Sequence, residues 1–474
     1  MNLSTAQLDR ACGVLLATAA GDALGAPYEF EPPRGPDLEV AMVGGGAFGW
    51  SPGEWTDDTS MALAIAEVAA TGADLRDEPA QTAIVTRWYD WSLTATDVGN
   101  QTRSVLGATG RAGVSAANAL AASRLLHERT GHTAGNGSLM RTAPVALAYL
   151  DDEEALVDAA RTISELTHFD PDAAEACVLW CLAIRRAVLT GDLDVRAGLN
   201  HLPADRRELW TDRLDVAEAS VPSSFRRNGW VVEALQAAWS AVATTPVPGD
   251  DPIAGVFAAD HLRLALDAAV RSGNDTDTVA AIAGGLLGAR WGASAVPGTW
   301  RRLLHGWPGL DARGLVSLAT RIVGADRPFE NYVVPMTPSP HPHDDGVWLG
   351  DLETLRSLPD GVDAVVSLCR VNDRDLPAGV EQMDIRLIDV VGANAHLDFV
   401  LLDTVRLVET LRAEGRTVLL HCVAAHSRTP SVAALYGARR AGISGRDALA
   451  AVCDVLPDAY PNWDFRDALD RLAP

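Results

Sequence analysis

Two short stretches of the sequence place several carboxylates and hydroxyls side by side, each just ahead of an apolar run. They are GEWTDDTSM, residues 53–61, and SGNDTDTVAAIAGG, residues 272–285. Their acidic and hydroxyl residues are Asp57, Asp58, Asp275, Asp277, Thr56, Thr59, Thr276 and Thr278. One N-cap side chain is enough to begin a helix. Each stretch therefore carries more oxygen donors than a helix start requires.

Two interpretations fit this surplus of oxygen atoms. In the first, the threonines cap the helices and the acids complement the positive end of the helix dipole. In the second, the two helix starts meet in the fold, and their carboxylates bind one or two Mg²⁺ or Mn²⁺ ions in octahedral geometry. The spacing alone leaves both interpretations open.

A different chemistry is indicated by TVLLHCVAAHSRTPSVAAL, residues 417–435. A β-rich run ends at Cys422, five residues follow, and Arg428 stands just before Thr429 and Pro430, which begin a helical pattern. Loop amides and a helix N-terminus favour a thiolate and bind phosphate, and an arginine adds a bidentate clamp. A buried cysteine at a strand end is the alternative, but the arginine at this spacing favours the phosphate site.

The elements around these residues divide the chain into two domains joined by a linker. Residues 1–326 show helical spacing of Ala, Leu and Arg, which predicts an all-α domain. Residues 327–345 are rich in proline and polar residues and are predicted to be the linker. Residues 346–474 alternate β-rich runs, among them VDAVVSLC, MDIRLIDV and TVLLHC, with helical stretches. That pattern predicts a small α/β domain with a mainly parallel sheet.

Composition narrows the classes of partner. The 474 residues have a formal net charge of −24 and contain no lysine, which excludes a P-loop lysine or a Schiff-base lysine. An acidic chain without basic runs is not expected to bind extended nucleic acid or a membrane surface. Six scattered cysteines and the lack of a long apolar run predict a cytoplasmic protein with reduced thiols. Small molecules or protein side chains are the expected partners.

Six motifs in the first domain resemble the ADP-ribosylglycohydrolase family, in particular its dinitrogenase-reductase-activating type. In chain order they are GVLLATAAGDALGAPYEF, GEWTDDTSM, TDVGNQT, GNGSLMRTAPVAL, SELTHFDPDA and GNDTDTVAAIAGGLLGARWG. The resemblance implies a helical fold that binds two divalent metal ions, Mg²⁺ or Mn²⁺, and removes ADP-ribose from a modified protein or small molecule. The implied metal ligands are Thr56, Asp57, Asp58, Asp275, Asp277 and Thr278.

The same resemblance implies further roles around those ligands. It makes Asp97 a catalytic acid facing the ribose and places Glu29 at the edge of the metal site. The implied substrate-binding residues are Glu29, Asn136, Gly137, Ser138, Met140, Arg141, His168 and Trp230. Trp230 stands where a tyrosine is usual, and core packing is an equally good interpretation of it. Asn274 replaces a glycine in the loop before the second acidic cluster.

The second domain resembles the cysteine-dependent protein tyrosine phosphatases, especially the compact dual-specificity ones. The resemblance implies that Cys422 is the nucleophile, Arg428 binds phosphate and Thr429 assists departure of the thiolate. It also implies a general acid, for which Asp389, 33 residues before Cys422, fits best and Asp384 is the alternative. The implied phosphate loop is Val423, Ala424, Ala425, His426 and Ser427, in which Ala425 replaces a glycine.

The sequence therefore predicts a fusion of two enzymes, an ADP-ribosylglycohydrolase and a phosphatase that acts on a phosphorylated substrate. Two alternatives stay open. The second domain could be a phosphate-binding module without catalysis, which Ala425 would favour. The first domain could instead hydrolyse free ADP-ribosyl or nucleoside derivatives.

Overall fold

The computed structural model describes residues 2–325, 336–372, 375 and 377–474. The chain forms two compact units. The first unit comprises Met1–Pro246, His261–Val296 and Leu303–Arg327. The second unit comprises Val247–Asp260, Pro297–Arg302 and Pro328–Pro474. Residues 327–335 of the predicted linker lie outside the described residues.

The first unit is built almost entirely of α-helices. The helices up to residue 322 are α1 Thr5–Gly25, α2 Asp57–Ala69, α3 Glu78–Ser92, α4 Asn100–Ala112, α5 Ala116–Thr130, α6 Ala143–Ala148, α7 Glu153–Glu165, α8 Pro171–Thr190, α9 Ala204–Glu218, α10 Val231–Thr244, α11 Asp260–Val270, α12 Thr276–Trp291, α13 Gly298–Leu303 and α14 Ala312–Ile322. Of these, α13 lies almost wholly in the second unit. A two-stranded ribbon with two residues in each strand, β1 His305–Gly306 and β2 Leu310–Asp311, precedes α14. Local sequence signals account for several boundaries. Ser4 and Gln7 form a reciprocal capping box at the start of α1, as their spacing predicts.

Helices α1 and α12 pack against each other backbone to backbone in the centre of the first unit. A Cβ atom at Gly21 would overlap the Ala280 carbonyl, and one at Gly25 would overlap the backbone of Asp277. Only glycine allows such an approach. The packing therefore brings the C-terminal end of α1 to the first turn of α12, where the second acidic cluster lies.

The second unit contains a five-stranded sheet with helices. Its strands are β3 Ser339–His341, β4 Asp344–Gly350, β5 Ala364–Ser367, β6 Glu381–Asp384 and β7 Val418–His421. Its helices after the sheet begins are α15 Leu352–Arg356, α16 Leu397–Ala413, α17 Arg428–Ala441, α18 Gly445–Val455 and α19 Trp463–Leu472. The strand order is β3-β4-β7-β5-β6, and every pair except β3 with β4 is parallel. The predicted fold class, a helical domain and a small α/β domain, is confirmed.

Two features of the second unit differ from the sequence prediction. The sheet begins at Ser339, inside the segment predicted to be linker, because β3 pairs with β4. The run MDIRLIDV, residues 383–390, is strand only as far as Asp384. Beyond it, the Asn394 side chain accepts a hydrogen bond from the Ile388 N–H and donates one to the Ile388 carbonyl. These bonds hold residues 385–390 in a loop, so Asp389 lies on a loop and Asp384 in the sheet.

Two segments that were predicted as part of the first domain, Val247–Asp260 and Pro297–Arg302, belong to the second unit. The Gly298 N–H donates to the Asp403 carboxylate at 2.9 Å, and Arg302 pairs with Glu414 at 2.6 Å. A stretch beginning at residue 346 therefore lacks part of this unit, and the experiments below use the full chain. None of the helices that the structure describes combines the length and hydropathy that a membrane crossing needs.

Candidate active sites

The start of α2 is capped by a residue from another helix. The Thr56 side chain makes no capping hydrogen bond. Instead, the Asp22 carboxylate on α1 accepts hydrogen bonds from the backbone N–H groups of Thr56 and Thr59, both at 2.9 Å, and from the Thr59 hydroxyl at 2.6 Å. Capping by local side chains therefore does not account for Thr56, Asp57 and Asp58, whose oxygen atoms are left for another purpose.

Five carboxylates from four segments converge at this point. Oxygen atoms of Asp22, Asp58 and Asp277 lie within 4.8 Å of one another, and so do those of Glu29, Asp275 and Asp277. One oxygen of Asp58 and one of Glu29 are buried without a hydrogen-bond partner. Burial and then repulsion from Asp275 raise the pKa of Glu29 to about 9. Buried, unpartnered carboxylate oxygens are the donors that Mg²⁺ or Mn²⁺ prefers, so the residues fit divalent ions.

The remaining predicted ligands border the same cluster. The Thr56 hydroxyl donates to Asp58 at 3.1 Å, and Thr278 is also hydrogen-bonded to Asp58. Asp57 is buried, and its pKa is raised well above the ordinary value by burial and then by the nearby Asp97. Asp97 lies half-buried on the loop before α4. The structure thus brings the predicted catalytic acid next to the predicted metal ligands.

The glycine-rich loop before α6 lies beside the acidic cluster. The Asn136 amide donates to the Asp275 carboxylate at 2.7 Å. A Cβ atom at Gly137 would lie 3.1 Å from the His168 ring, so glycine lets the loop approach that ring closely. Trp230 forms a backbone bridge with Gly135 and is partly exposed. Four predicted substrate-binding residues, Asn136, Gly137, His168 and Trp230, are therefore grouped around this loop.

Three other predicted substrate-binding side chains are directed into the protein interior. Ser138 accepts a hydrogen bond from the Cys177 thiol at 3.6 Å, and Met140 is buried. Arg141 is 1% exposed, donates to the Thr167 hydroxyl at 2.6 Å and stacks on the Trp88 ring at 4.0 Å. These side chains support the loop from inside, which leaves its backbone to contact a ligand.

Two residues that assemble this site, Asp22 and Asn228, were not predicted from the sequence. Asp22 interrupts an otherwise apolar helix, and a buried acid in such a run was the signal that could have found it. Asn228 accepts from the Asp275 N–H at 3.2 Å and donates to the Gly273 carbonyl at 2.9 Å. Its backbone carbonyl also accepts from Asn136. No pattern in the sequence marks Asn228, which joins the loops only through the fold.

We expect Asp22→Asn to reduce both the stability of the first unit and its stabilisation by divalent ions. An asparagine side chain cannot accept all three donors that Asp22 accepts, and losing a helix cap costs about 0.5–2 kcal/mol. Thermal unfolding with and without Mn²⁺ measures both effects. The matched control is Asp152→Asn, because Asp152 caps α7 through the Ala155 N–H. Asp152→Asn should lower the unfolding temperature but leave unchanged the increase in that temperature caused by Mn²⁺. An equal increase with Mn²⁺ in the two variants would contradict a role for Asp22 in the metal site.

The second constellation forms a loop between β7 and α17. Cys422 follows β7 and is buried, and α17 begins at Arg428. The Arg428 guanidinium donates to the carbonyls of Leu368 and Leu387 at 3.2 and 3.3 Å. Its Nε atom is buried without a hydrogen-bond partner and lies 4.0 Å from the Asp389 carboxylate. The loop therefore holds a thiol and an arginine with one unused donor.

Asp389 is fixed against this loop by two hydrogen bonds. Its carboxylate accepts from the Ser427 hydroxyl at 2.6 Å and from the Asn462 amide at 2.9 Å. Asp384, the alternative acid, lies in β6 opposite Ser367. Of the two candidate acids, Asp389 is therefore the one held against the loop that follows Cys422.

The residues that flank Cys422 are held by the sheet. His421 is buried, its ring contacts the Ser367 hydroxyl at 2.7 Å, and burial lowers its pKa to about 4. The imidazole is therefore neutral at pH 7. The Thr429 hydroxyl donates to the Gly350 carbonyl at 3.5 Å, a long bond that a small rotation of the side chain would break.

The phosphate loop contains one backbone position that favours glycine. Ala425 has a φ angle of 53°, and it is buried. A left-handed conformation costs an alanine about 1–2 kcal/mol because its Cβ approaches the following carbonyl. Val423 and Ala424 are half-buried, His426 is exposed and Ser427 is buried.

Ala425→Gly should raise the unfolding free energy of the second unit by about 1 kcal/mol, since glycine adopts this φ angle without strain. Urea unfolding of the full chain, followed through the second unit by hydrogen exchange, measures the change. Ala424→Gly is the control, because Ala424 does not have a positive φ angle. The Ala424→Gly variant should be less stable than the unmutated chain, because glycine loses more conformational freedom on folding than alanine does. If Ala424→Gly raised the unfolding free energy as much as Ala425→Gly does, the backbone of Ala425 would not be strained.

The chain was compared with families and proteins of known type. A family model described as ADP-ribosylglycohydrolase matches residues 3–329. ADP-ribosylarginine hydrolase Tri1 of Pseudomonas putida (strain GB-1) is 32% identical over 299 residues, covering 62% of this chain and 73% of that protein. The solved ADP-ribosylglycohydrolase-related protein complex superposes with a TM-score of 0.50 at 29% identity, over 68% of this chain and 99% of that one.

A further relative is of a different type. Dual specificity protein phosphatase Mpk3 of Drosophila melanogaster is 37% identical over 67 residues, which cover 14% of this chain and 16% of that protein. The comparison is short, but it concerns the type of enzyme that the loop from Cys422 to Arg428 resembles.

Proposed function

Because the chain belongs to the ADP-ribosylglycohydrolase family, we propose that its first unit removes ADP-ribose from a modified side chain with the help of two divalent ions. The observation that carries this proposal is the convergence of Asp22, Asp58, Asp277, Glu29 and Asp275, with two buried carboxylate oxygens unpartnered. Five converging carboxylates that are buried or half-buried would repel one another strongly without a nearby cation.

The residues that would hold the ions are the six carried by the two helix starts, namely Thr56, Asp57, Asp58, Asp275, Asp277 and Thr278. Mg²⁺ or Mn²⁺ bound there would polarise ribose hydroxyls and water and offset negative charge in the transition state. Asp22 fixes the backbone of α2, and Asn136 and Asn228 fix Asp275. The chain therefore orients its acidic groups before substrate arrives.

Two further acids are not among the six proposed ligands: Glu29, which belongs to the cluster of carboxylates, and Asp97, which lies beside it. Asp97 interacts electrostatically with Asp275, and burial followed by that interaction raises its pKa. We assign Asp97 the proton transfer to the leaving atom at the anomeric carbon, a role that needs a carboxyl group beside the ribose. The loop from Asn136 to Met140 offers backbone groups for the diphosphate, and Trp230 offers a ring for the adenine.

The first substrate to test is ADP-ribosylated arginine, since that is the substrate in the name of the Pseudomonas putida relative. The protein, freed of metal, is incubated with arginine, serine and nucleic-acid conjugates of ADP-ribose, with free ADP-ribosyl derivatives and with free nucleosides. We expect release of ADP-ribose only after Mg²⁺ or Mn²⁺ is restored, and fastest from arginine. Full activity in chelator would overturn the metal assignment, and cleavage of free nucleosides alone would favour the nucleoside hydrolase.

For the second unit we propose a cysteine-dependent phosphatase. The arrangement of Cys422, Arg428 and Asp389 around one loop carries this proposal. The Cys422 sulfur would attack phosphorus, the bond to the leaving oxygen would break, and that oxygen would take a proton from Asp389. Water would then cleave the phosphocysteine, returning a proton to Asp389 and the thiolate to Cys422.

A phosphate-binding module is the second candidate, favoured by the strained Ala425 in the phosphate loop. Hydrolysis of 4-nitrophenyl phosphate by the full chain distinguishes the two. Turnover that is lost in Arg428→Lys supports the phosphatase, because lysine cannot make the bidentate contact. Phosphate binding without turnover supports the module.

A further inference from the structure

An exposed apolar surface borders the Cys422 loop. From Met336 to Pro474, the large apolar side chains that are exposed among the described residues are Val390, Val391, Tyr460 and Trp463. All four lie on two segments that touch the candidate site, whereas the other exposed large apolar side chains described in the second unit, Val247, Ile253 and Val256, lie on the separate segment Val247–Asp260. Exposed apolar side chains that gather at one place mark a binding surface more often than scattered ones do. We call Tyr460, Trp463 and Arg466 the aromatic platform.

Hydrogen bonds tie the platform to the phosphate loop. The Tyr460 N–H donates to the His426 carbonyl at 2.6 Å, and the Asn462 N–H donates to the Ser427 hydroxyl at 3.2 Å. Trp463 follows Asn462 directly and begins α19. The segment that carries Tyr460 and Trp463 therefore adjoins the loop that would hold a phosphate.

A second contact joins the loop of the candidate acid to the same helix. The Gly392 N–H donates to the Asp464 carboxylate in the first turn of α19 at 2.5 Å. Val390 and Val391, between Asp389 and Gly392, are exposed at 61% and 57%. These valines extend the apolar border on the side of the acid, so a ligand that reaches the thiol meets apolar surface on both segments.

The platform is built to stack on a flat ring. Tyr460 is 70% exposed and Trp463 is 66% exposed. The Arg466 guanidinium lies 4.4 Å from the Tyr460 ring centroid and 5.6 Å from that of Trp463, and its Nε donates to the Pro461 carbonyl. The arginine is thus held between the rings, and exposed rings with an adjacent guanidinium form the kind of surface on which nucleobases stack.

We propose that the Cys422 site binds a phosphate monoester of a small purine nucleotide, with phosphate in the loop and base on the aromatic platform. The inference rests on the proposed phosphate-binding function of the loop. In an aryl phosphate the ring is bonded directly to the phosphoryl oxygen and would be held next to Cys422. In a nucleotide the ribose separates the base from the phosphate, so the base would extend to the aromatic platform. The net charge of −24 disfavours a polynucleotide, so the ligand is a mononucleotide.

The test measures binding to the full chain carrying Cys422→Ser, which prevents turnover. Calorimetry compares adenosine 5′-monophosphate with ribose 5-phosphate, which lacks the base. A second variant adds Arg428→Ala to Cys422→Ser. The binding heat that it loses is the heat that comes from the Cys422 loop. We expect the nucleotide to bind about tenfold more tightly, as stacking of one base allows. That difference should vanish in Trp463→Ala and return in Trp463→Phe.

Four results decide the proposal. Equal affinity for the two ligands, or a difference that survives Trp463→Ala, would overturn it. Dependence on Trp463 for O-phosphotyrosine but not for the nucleotide would also overturn it and assign the platform to aryl phosphates or peptides. A Trp463-dependent preference for the nucleotide without turnover of any phosphate monoester by the unmutated chain would support this inference while removing the phosphatase proposal.

Discussion

Asp277→Asn should lower the rate of ADP-ribose release by at least about a hundredfold. Asp277 belongs to both groups of converging carboxylates, so its loss disturbs every proposed metal position at once. Changing residues that merely orient metal ligands commonly costs about 10–100-fold, and a direct ligand should cost more. The release of ADP-ribose from an arginine conjugate in saturating Mn²⁺ measures the effect, and calorimetry of Mn²⁺ binding gives the affinity that accompanies it.

Asp205→Asn is the matched control for that experiment. Asp205 is also an acid in the first turn of a helix, α9, but its side chain is exposed. If the acids of the cluster served only the helix dipole, the two variants would behave alike. Unchanged ADP-ribose release in Asp277→Asn, or an equal loss in Asp205→Asn, would contradict the metal site.

Cys422→Ser should lower the hydrolysis of an aryl phosphate by at least about a thousandfold, because a serine hydroxyl is not ionised at neutral pH and His421, with a pKa of about 4, is too weak a base to activate it. ADP-ribose release should stay unchanged, since that chemistry is assigned to other residues. Both rates are measured on one preparation of the full chain.

Cys453→Ser controls for the loss of a thiol as such. Cys453 lies in α18 of the same unit and is partly exposed. It should retain phosphatase activity. Equal phosphatase rates in Cys422→Ser and the unmutated chain would show that the loop from Val423 to Arg428 acts without a cysteine nucleophile, or that the activity comes from another site.

Local signals in the sequence predicted much of the fold. The capping box at Ser4 set the start of α1, and the alternation of β-rich and helical runs predicted a mainly parallel sheet. The end of β6 could not be predicted, because its pairing stops where the partner strand β5 ends at Ser367. The pairing of β3 with β4 likewise converts part of a proline-rich segment into sheet.

In the candidate sites, too, local sequence signals predicted some features, and others depend on contacts between distant parts of the chain. The two acidic clusters stood out because a helix start needs one cap, whereas the structure was required to show that Asp22 supplies it for α2. Asp22 is far from both clusters in sequence and reaches them only because glycines let α1 and α12 approach closely. The direction of each side chain in a loop is also invisible to a motif. Arg141 matched a binding loop, yet it is buried against Trp88.

The most direct test of the metal centre is crystallography of the full chain grown in Mn²⁺, with data collected for anomalous scattering. Two anomalous peaks bounded by carboxylates of Asp58, Asp275 and Asp277 are the predicted result, and both should be absent from crystals of Asp277→Asn. Peaks elsewhere on the chain, or none at this cluster in protein that releases ADP-ribose, would contradict the account.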